Sequence, residues 1–320
     1  GQSAIFAWLN RGKESICLNL KDPEDLVVMQ RMLAKADVFV SNLAPGSVAR
    51  MGLSGTDLRR DNPGLITCMI SGYGQTGAAA KKKAYDFLIQ AESGLCSVTG
   101  SAESPARVGL SLTDLSTGLT AFSAILRALI QRGRTGQGID LEISMFDVLA
   151  DWMNMPLLAH RYMGGAPARS GLKHSFISPY GAFECCDGSQ VLISVQSNRE
   201  FAALCSQVLE RPELPRDPRF SENPERYAHR DALDAIVAAC FAKFTAAEMV
   251  DKLDAAHIAN AQLNSVADLS EHPFLRNSVA QIGDCEVSLA ALPVTSQVGA
   301  GQSVPNLGAQ SDALRAEFKA

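Results

Sequence analysis

Short runs of apolar, β-branched residues alternate with amphipathic stretches through the first 146 residues, and no other feature restricts the fold as much. Residues 36–41, 65–71 and 138–143 are too short for helices and are bounded by turn residues, so each reads as a buried strand. Between them lie helix patterns. Asp22-Pro23-Glu24-Asp25 is a helix start, with Asp22 as cap, Pro23 at the first helical position and acids at the positive end of the dipole. That helix is expected to run to about Ala34. Short helices are expected after Pro45-Gly46 and from Ser54, and helical periodicity covers 85–98 and 113–132. Strands separated by helices pair through crossovers, which predicts parallel βαβ units and a doubly wound, Rossmann-like α/β domain. Such sheets hold ligands beyond the carboxyl ends of their strands. Here those ends are residues 41–46 and 71–77.

The texture changes further on. A long helix is expected over 145–163, and Gly164-Gly165-Ala166-Pro167 and Ser170-Gly171 then break regular structure. Residues 180–185 and 190–195 flank Asp187-Gly188 as a hairpin, and helices follow near 198–209, 228–243 and 245–256. The expected organisation is a large α/β domain over 1–146, a linker helix and glycine-containing loop over 147–178, a smaller α+β domain over 179–268, and a return segment over 269–320. Gly1 is not an initiator methionine and no signal-peptide pattern follows it, so the chain is expected to lack an N-terminal part.

Composition excludes several function classes. A net charge of −5 gives no attraction to nucleic acid or to an anionic membrane. No apolar run is long enough to span a bilayer. The eight cysteines form no C-x-x-C pair and mostly sit in apolar runs, so they read as free thiols of a cytoplasmic enzyme. Adjacent Cys185 and Cys186 read as two strand residues. The five histidines, at 160, 174, 229, 257 and 272, lack metal-ligand spacing, and no metal site is expected. There is no P-loop, no G-x-G-x-x-G after a strand and no G-x-S-x-G elbow.

What remains is the stretch from Lys83-Ala84-Tyr85-Asp86 to Gly109-Leu110-Ser111-Leu112-Thr113-Asp114-Leu115. Thr113 is expected to cap a helix, placing Asp114 in its first turn, where the dipole favours an ionised carboxylate. Gly118 lies four residues on, on the same face, and leaves space beside Asp114. The same residues also fit an ordinary N-terminal acid and a helix-packing glycine.

Ordered motifs run through nearly the whole chain: Asn10-Arg11-Gly12-Lys13, the Asn-x-x-Pro-Gly of Asn42 to Gly46, Arg50-Met51-Gly52, Ser71-Gly72-Tyr73-Gly74, Tyr85-Asp86, Asp114, Arg134-Thr135-Gly136-Gln137-Gly138 and Pro179-Tyr180-Gly181-Ala182-Phe183. In this order they resemble class III CoA-transferases, the group of formyl-CoA:oxalate and carnitine CoA-transferases and related acyl-CoA racemases. The resemblance implies that Asp114 becomes acylated, with Tyr85 and Asp86 beside it in the catalytic group. Asn10, Arg11, Lys13, Asn42, Leu43, Arg50, Met51, Gly72 and Lys83 match positions of the coenzyme A site. The family's first strand and its CoA-contacting turn, normally ahead of Asn10, are missing from this reading. Gly164 and Gly165 match a glycine-rich loop over the site, and members form interlocked homodimers.

The chemistry implied is transfer of coenzyme A between carboxylic acids through an aspartyl anhydride and an aspartyl-CoA thioester. The exchanges are nearly isoenergetic, so no cofactor is expected beyond coenzyme A as part of the acyl-CoA substrate and product. Backbone N–H groups and the glycine loop are expected to stabilise oxyanions. Lys83 and Arg50 are expected to hold phosphates, whereas Lys81 and Lys82 read as solvated. Racemases of this group use a histidine where this chain has Tyr85, a poor base at its ordinary pKa of about 10, which weakens that alternative.

Residues 228–230, 256–261 and 271–273 resemble the branch acting on mesaconyl-, itaconyl- or succinyl-CoA, implying C4–C5 dicarboxylic acids. Arg169 and His174 are candidates for the second carboxylate. A catalytically inactive CoA-binding relative, or a fragment acting as an assembly module, are the readings from other classes.

Overall fold

A computed structural model describes residues 3–294 and 303–318. The chain divides into two units. The first comprises Gly1–Ser93, Gly109–Asn154 and Glu271–Ala320, and the second Gly94–Val108 and Met155–Ser270. Residues 94–108, expected within the large domain, thus belong to the second unit, and 271–320 joins the first.

In the first unit, strands β1 (Val38–Ser41), β2 (Ile66–Ser71) and β3 (Asp140–Ser144) form a parallel sheet in that order. Val38 pairs with Ile66 and Thr67 with Asp140. The described strands follow one another without the reversal of order that marks a doubly wound sheet. The fold is mixed α/β.

The helix Pro23–Lys35 forms as its sequence dictates: the Asp22 carboxylate accepts from the Glu24 N–H at 2.9 Å and Pro23 opens the first turn. Such a cap stabilises a helix by about 1 kcal/mol. Its Leu33 packs with Val48, Leu53, Leu58 and Leu65 into a core that Phe39 and Met69 join from the sheet.

The region 85–98 is not one helix. It breaks into Asp86–Glu92 and Leu95–Val98, because Gly94 takes a left-handed φ of 87° that ends the first and starts the second. The expected helix over 145–163 likewise divides into Met145–Trp152 and Asn154–Tyr162, since Met153 leaves helical geometry. Between these lies the longest described helix, Leu112–Thr135, closed by left-handed Gly136. It buries small side chains, Ser116, Thr117, Ala121 and Ala128, half-buries Leu112, Ile125 and Leu129, and leaves Leu115, Leu119, Phe122, Leu126 and Ile130 exposed.

Strands β4 (Tyr180–Glu184) and β5 (Gln190–Ser194) form the expected hairpin in the second unit, and β6 (Ala259–Gln262) completes that antiparallel sheet. Phe183, Val191, Ile193, Phe201, Leu233 and Phe241 fill its core. Arg226, 1% exposed, is held there by the carbonyls of Ser178 and Phe220, by Asn198 and by the Phe201 ring. In the first unit again, β7 (Asn277–Ile282), β8 (Cys285–Ala290) and β9 (Ser303–Val304) form a third sheet.

Candidate active site

Because β1, β2 and β3 run parallel, the segments leaving them emerge at one end of the sheet. After β1 come exposed Asn42 and Leu43, the latter with its N–H on the Ser41 hydroxyl. Gly46 turns the chain at a φ of 75° into the helix Ser47–Arg50. The Arg50 guanidinium donates to the Ser47 hydroxyl at 2.9 Å and stays exposed, while Met51 packs on the core. A cavity of about 300 Å³ opens beside this loop, lined in part by Leu43, Gly46, Gln75 and Asp140. Asp114 is not part of its wall.

After β2 comes Gly72, where a side chain has no room: a Cβ there lies 2.2 Å from that of Ala84. This close approach brings Lys83 and Tyr85 to the end of β2. The Gly72 carbonyl also accepts from the Phe146 N–H at 3.0 Å, tying in the helix after β3. The intervening loop is clamped by Glu92, which accepts from the Tyr73 hydroxyl and forms an ion pair with Lys82, whose ammonium lies over the Tyr73 ring. Lys82, expected as a solvated loop residue, stays exposed while making this ion pair. Lys83 and Tyr85 are exposed.

Asp86 is the centre of the arrangement. Its Oδ1 accepts from the N–H of Thr113 at 2.7 Å and of Asp114 at 3.2 Å, and its backbone carbonyl accepts from the Thr113 hydroxyl. The cap of the helix Leu112–Thr135 is thus supplied from outside. Thr113, expected as the cap, lies inside the helix; Ser111 precedes it and makes no side-chain cap bond. Asp86 Oδ2 accepts from the Gln90 amide at 2.8 Å.

Asp114 is exposed as a residue, yet its carboxyl pKa is pushed above the ordinary range. Desolvation by the packed atoms around the carboxyl group is the larger cause, and the Asp86 charge adds to it. A carboxylate so placed is more basic, hence a better nucleophile, than one free in water. A Cβ at Gly118, one turn on, meets nothing within 4 Å. Among the described residues no neighbour packs against this glycine.

The other expected site residues lie elsewhere. Asn10, Arg11 and Lys13 adjoin the third sheet: Gly12 donates to the Ser303 carbonyl, Arg11 to the Ser278 hydroxyl and Lys13 to Asn10. Gly164 and Gly165 follow the helix Asn154–Tyr162 with φ of 86° and 146°, in the second unit. Arg169 spends its guanidinium on the carbonyls of Ser97, Ser101 and Ala102, pinning 94–108 within that unit. His174 stacks on Tyr180 and its Nδ1 accepts from the Phe176 and Ile177 N–H groups, leaving Nε2 as a donor. Among the described residues no group of His, Cys, Asp or Glu is arranged to hold a metal, and no helix is long and apolar enough to cross a membrane.

Gln90 and Glu92 were not expected at the site. The available signal was spacing: Gln90 stands four residues after Asp86, on the same helical face, as a polar residue following Phe87-Leu88-Ile89.

The description of CoA-transferase family III matches residues 1–311 of this chain. The match begins at residue 1. The chain is 38% identical to the acetyl-CoA:oxalate CoA-transferase of Acetobacter aceti, covering all of this chain and 83% of that protein. It is 36% identical to the succinyl-CoA:glutarate CoA-transferase of Mus musculus, over 87% of this chain and 64% of that one. A crystal structure of a CAIB/BAIF family protein from Brucella suis superposes with a TM-score of 0.84 at 30% identity, covering 99% of this chain and 84% of that one.

Proposed function

This chain belongs to CoA-transferase family III, and from that premise we propose that it moves coenzyme A between small carboxylic acids with Asp114 as nucleophile. The observation that carries this is the Asp86–Asp114 pair: one carboxylate fixed by backbone N–H groups, the other exposed, raised in pKa and one helical turn before Gly118, beside which a side chain has open space.

In this reading an Asp114 oxygen attacks the donor thioester carbon, the C–S bond breaks, and a mixed anhydride and CoA thiolate result. The thiolate then attacks the aspartyl carbon and releases the donor as a carboxylate, leaving an aspartyl-CoA thioester. The acceptor carboxylate attacks that thioester, and the expelled thiolate attacks the acceptor carbon, giving the new acyl-CoA and free Asp114. Asp86 is a positioning residue here.

The oxyanions draw no donor from the helix start. Leu112 donates to the Leu110 carbonyl, and Thr113 and Asp114 donate to Asp86. Donors from elsewhere are proposed, with the glycine loop at Gly164 as their source; the Gly165 N–H already donates to the Ala159 carbonyl. Tyr85 is proposed to face the reacting carbon. Asn42, Leu43, Arg50, Met51, Gly72 and Lys83 are proposed to line the coenzyme A site, with Asn10, Arg11 and Lys13 as further contacts. Dicarboxylic acids of C4–C5 size are the proposed substrates, in keeping with the glutarate named for the mouse relative. The oxalate of the Acetobacter relative extends the range worth testing. His174 retains its Nε2 donor for a second carboxylate, and Arg169, with three of its five N–H groups on carbonyls, retains two. A cytoplasmic homodimer completes the proposal. In support of the dimer, Leu115, Leu119, Phe122, Leu126 and Ile130 form an exposed apolar stripe at helical spacing on Leu112–Thr135.

The test is intact-protein mass spectrometry after mixing with succinyl-CoA or mesaconyl-CoA, with hydroxylamine or borohydride trapping and peptide mapping. The expected result is a modification confined to the Asp114 peptide and absent in Asp114→Asn. Coenzyme A bound without any aspartyl adduct overturns the covalent reading and moves the racemase and binding-only readings forward.

A further inference from the structure

The side chain that touches Asp86 from the side opposite Asp114 has no role in the reaction as drawn so far. Gln90 is fully buried, at 0% exposure, on the helix Asp86–Glu92. Its amide nitrogen donates to Asp86 Oδ2 at 2.8 Å and to the Leu110 carbonyl at 3.3 Å. Leu110 lies two residues before the helix that carries Asp114, and its carbonyl also accepts from the Leu112 N–H at 2.8 Å. One amide therefore reaches both supports of that helix start: the carboxylate that caps it and the loop that leads into it.

Burying an amide is unfavourable unless it is hydrogen-bonded, and an apolar side chain of similar volume fills such a position without that demand. Packing alone does not call for glutamine here; its bonds to Asp86 and Leu110 do. Without the amide, Asp86 keeps its Oδ1 bonds but is freer to rotate about its last side-chain bond, and the loop at Leu110 loses a tether. Both changes act on where the Asp114 carboxylate sits and on how close the Asp86 charge stays to it.

We infer that Gln90 is a positioning residue of the transfer reaction, acting through Asp86 and Leu110 to fix the attack geometry of Asp114. The inference rests on the reading of Asp114 as nucleophile. An error of about 1 Å in a reacting group is enough to lower a rate by roughly 100-fold, so a side chain with no substrate contact can matter to the rate.

The experiment compares wild type, Gln90→Met, Asp86→Asn and the double variant. For each, kcat, KM for the acyl-CoA, the pH profile of kcat/KM and the rate of the trapped Asp114 adduct are measured. Circular dichroism verifies the fold. Gln90→Met is expected to lower kcat and the adduct rate by roughly 10-fold to 100-fold with KM little changed. The acidic limb of its profile is expected to move to lower pH, as in Asp86→Asn, because less of the Asp86 charge then raises the Asp114 carboxyl. The double variant is expected to be no slower than Asp86→Asn, as for residues acting through one another. If Gln90→Met does not fold, Gln90→Leu, apolar and without the donor, takes its place. Adduct formation at the wild-type rate in the Gln90 variant, with an unmoved pH profile, overturns the inference. Multiplicative losses in the double variant overturn it as well. A wild type that forms no Asp114 adduct instead overturns the reading on which it rests.

Discussion

At the residue scale, Asp114 is in tension with its surroundings. Its pKa is raised first by desolvation and second by Asp86, so its ionised form is disfavoured in the folded chain relative to the unfolded one. The sign follows from linkage: the unfolded state releases this proton more readily, so the residue costs stability above its raised pKa and nothing below the ordinary carboxylate value of about 4. Asp114→Asn is therefore expected to raise the thermal midpoint at pH 7 while abolishing turnover. Its advantage should shrink as pH falls through the raised value and vanish near pH ~4, which thermal melts at several pH values read directly. A site residue that destabilises its own fold is a common sign of function at the expense of stability. The residue pattern marks Asp114 as an acid in a first helical turn. It gave no reason to find that the cap comes from Asp86, 28 positions earlier, because that pairing exists only once two helices pack.

At the element scale, the site depends on how closely segments approach. Gly72 lets the end of β2 meet Ala84, and a Cβ at 72 falls 2.2 Å from the Ala84 Cβ, well inside contact distance. Gly72→Ala is expected to cost about 1–3 kcal/mol through overpacking, seen in urea unfolding, and to weaken coenzyme A binding through the displaced Lys83. Since the clash is with one Cβ, adding Ala84→Gly is expected to restore most of both losses. An unrelieved double variant would mean that Gly72 is required for its backbone or for ligand contact. The elements themselves were largely legible: the Asp22-Pro23 start, the three parallel strands and the hairpin around Asp187-Gly188 appear where pattern and turn residues place them. Two expected helices broke, at Gly94 and Met153. Periodicity continues across such a break when both pieces bury the same face, so the break is invisible to it.

At the scale of the whole molecule, the chain passes between units more often than its sequence suggests. Residues 94–108 leave the first unit and return just before the Asp114 helix, and within the second unit they are pinned by Arg169 and by the Gly171 N–H on the Gly100 carbonyl. The long helix also leaves much of its apolar face uncovered: Phe122 is 58% exposed and Ile130 63%. Association through this face is part of the proposed homodimer. Replacing both Leu119 and Phe122 with Asp is expected to leave the circular dichroism of the chain intact, since neither side chain is buried within it, and to shift the mass by light scattering from dimer to monomer. A dimer that survives the pair of charges would assign the stripe to another purpose.

The sequence by itself determined the elements, the parallel pairing of the first three strands, the family and the choice of Asp114 as the residue to watch. Those properties follow from local chemistry: period, caps, turn residues and ordered motifs are all written along the chain. Tertiary structure alone decided that Asp86 caps the Asp114 helix, that Gln90 holds Asp86 and Leu110 together, that Lys82 and Tyr73 close on Glu92, and that Arg169 is occupied by carbonyls. Each of these depends on which donor finds which acceptor after packing. A carboxylate in a sequence has many partners within reach, and only the folded geometry reduces them to the ones it keeps.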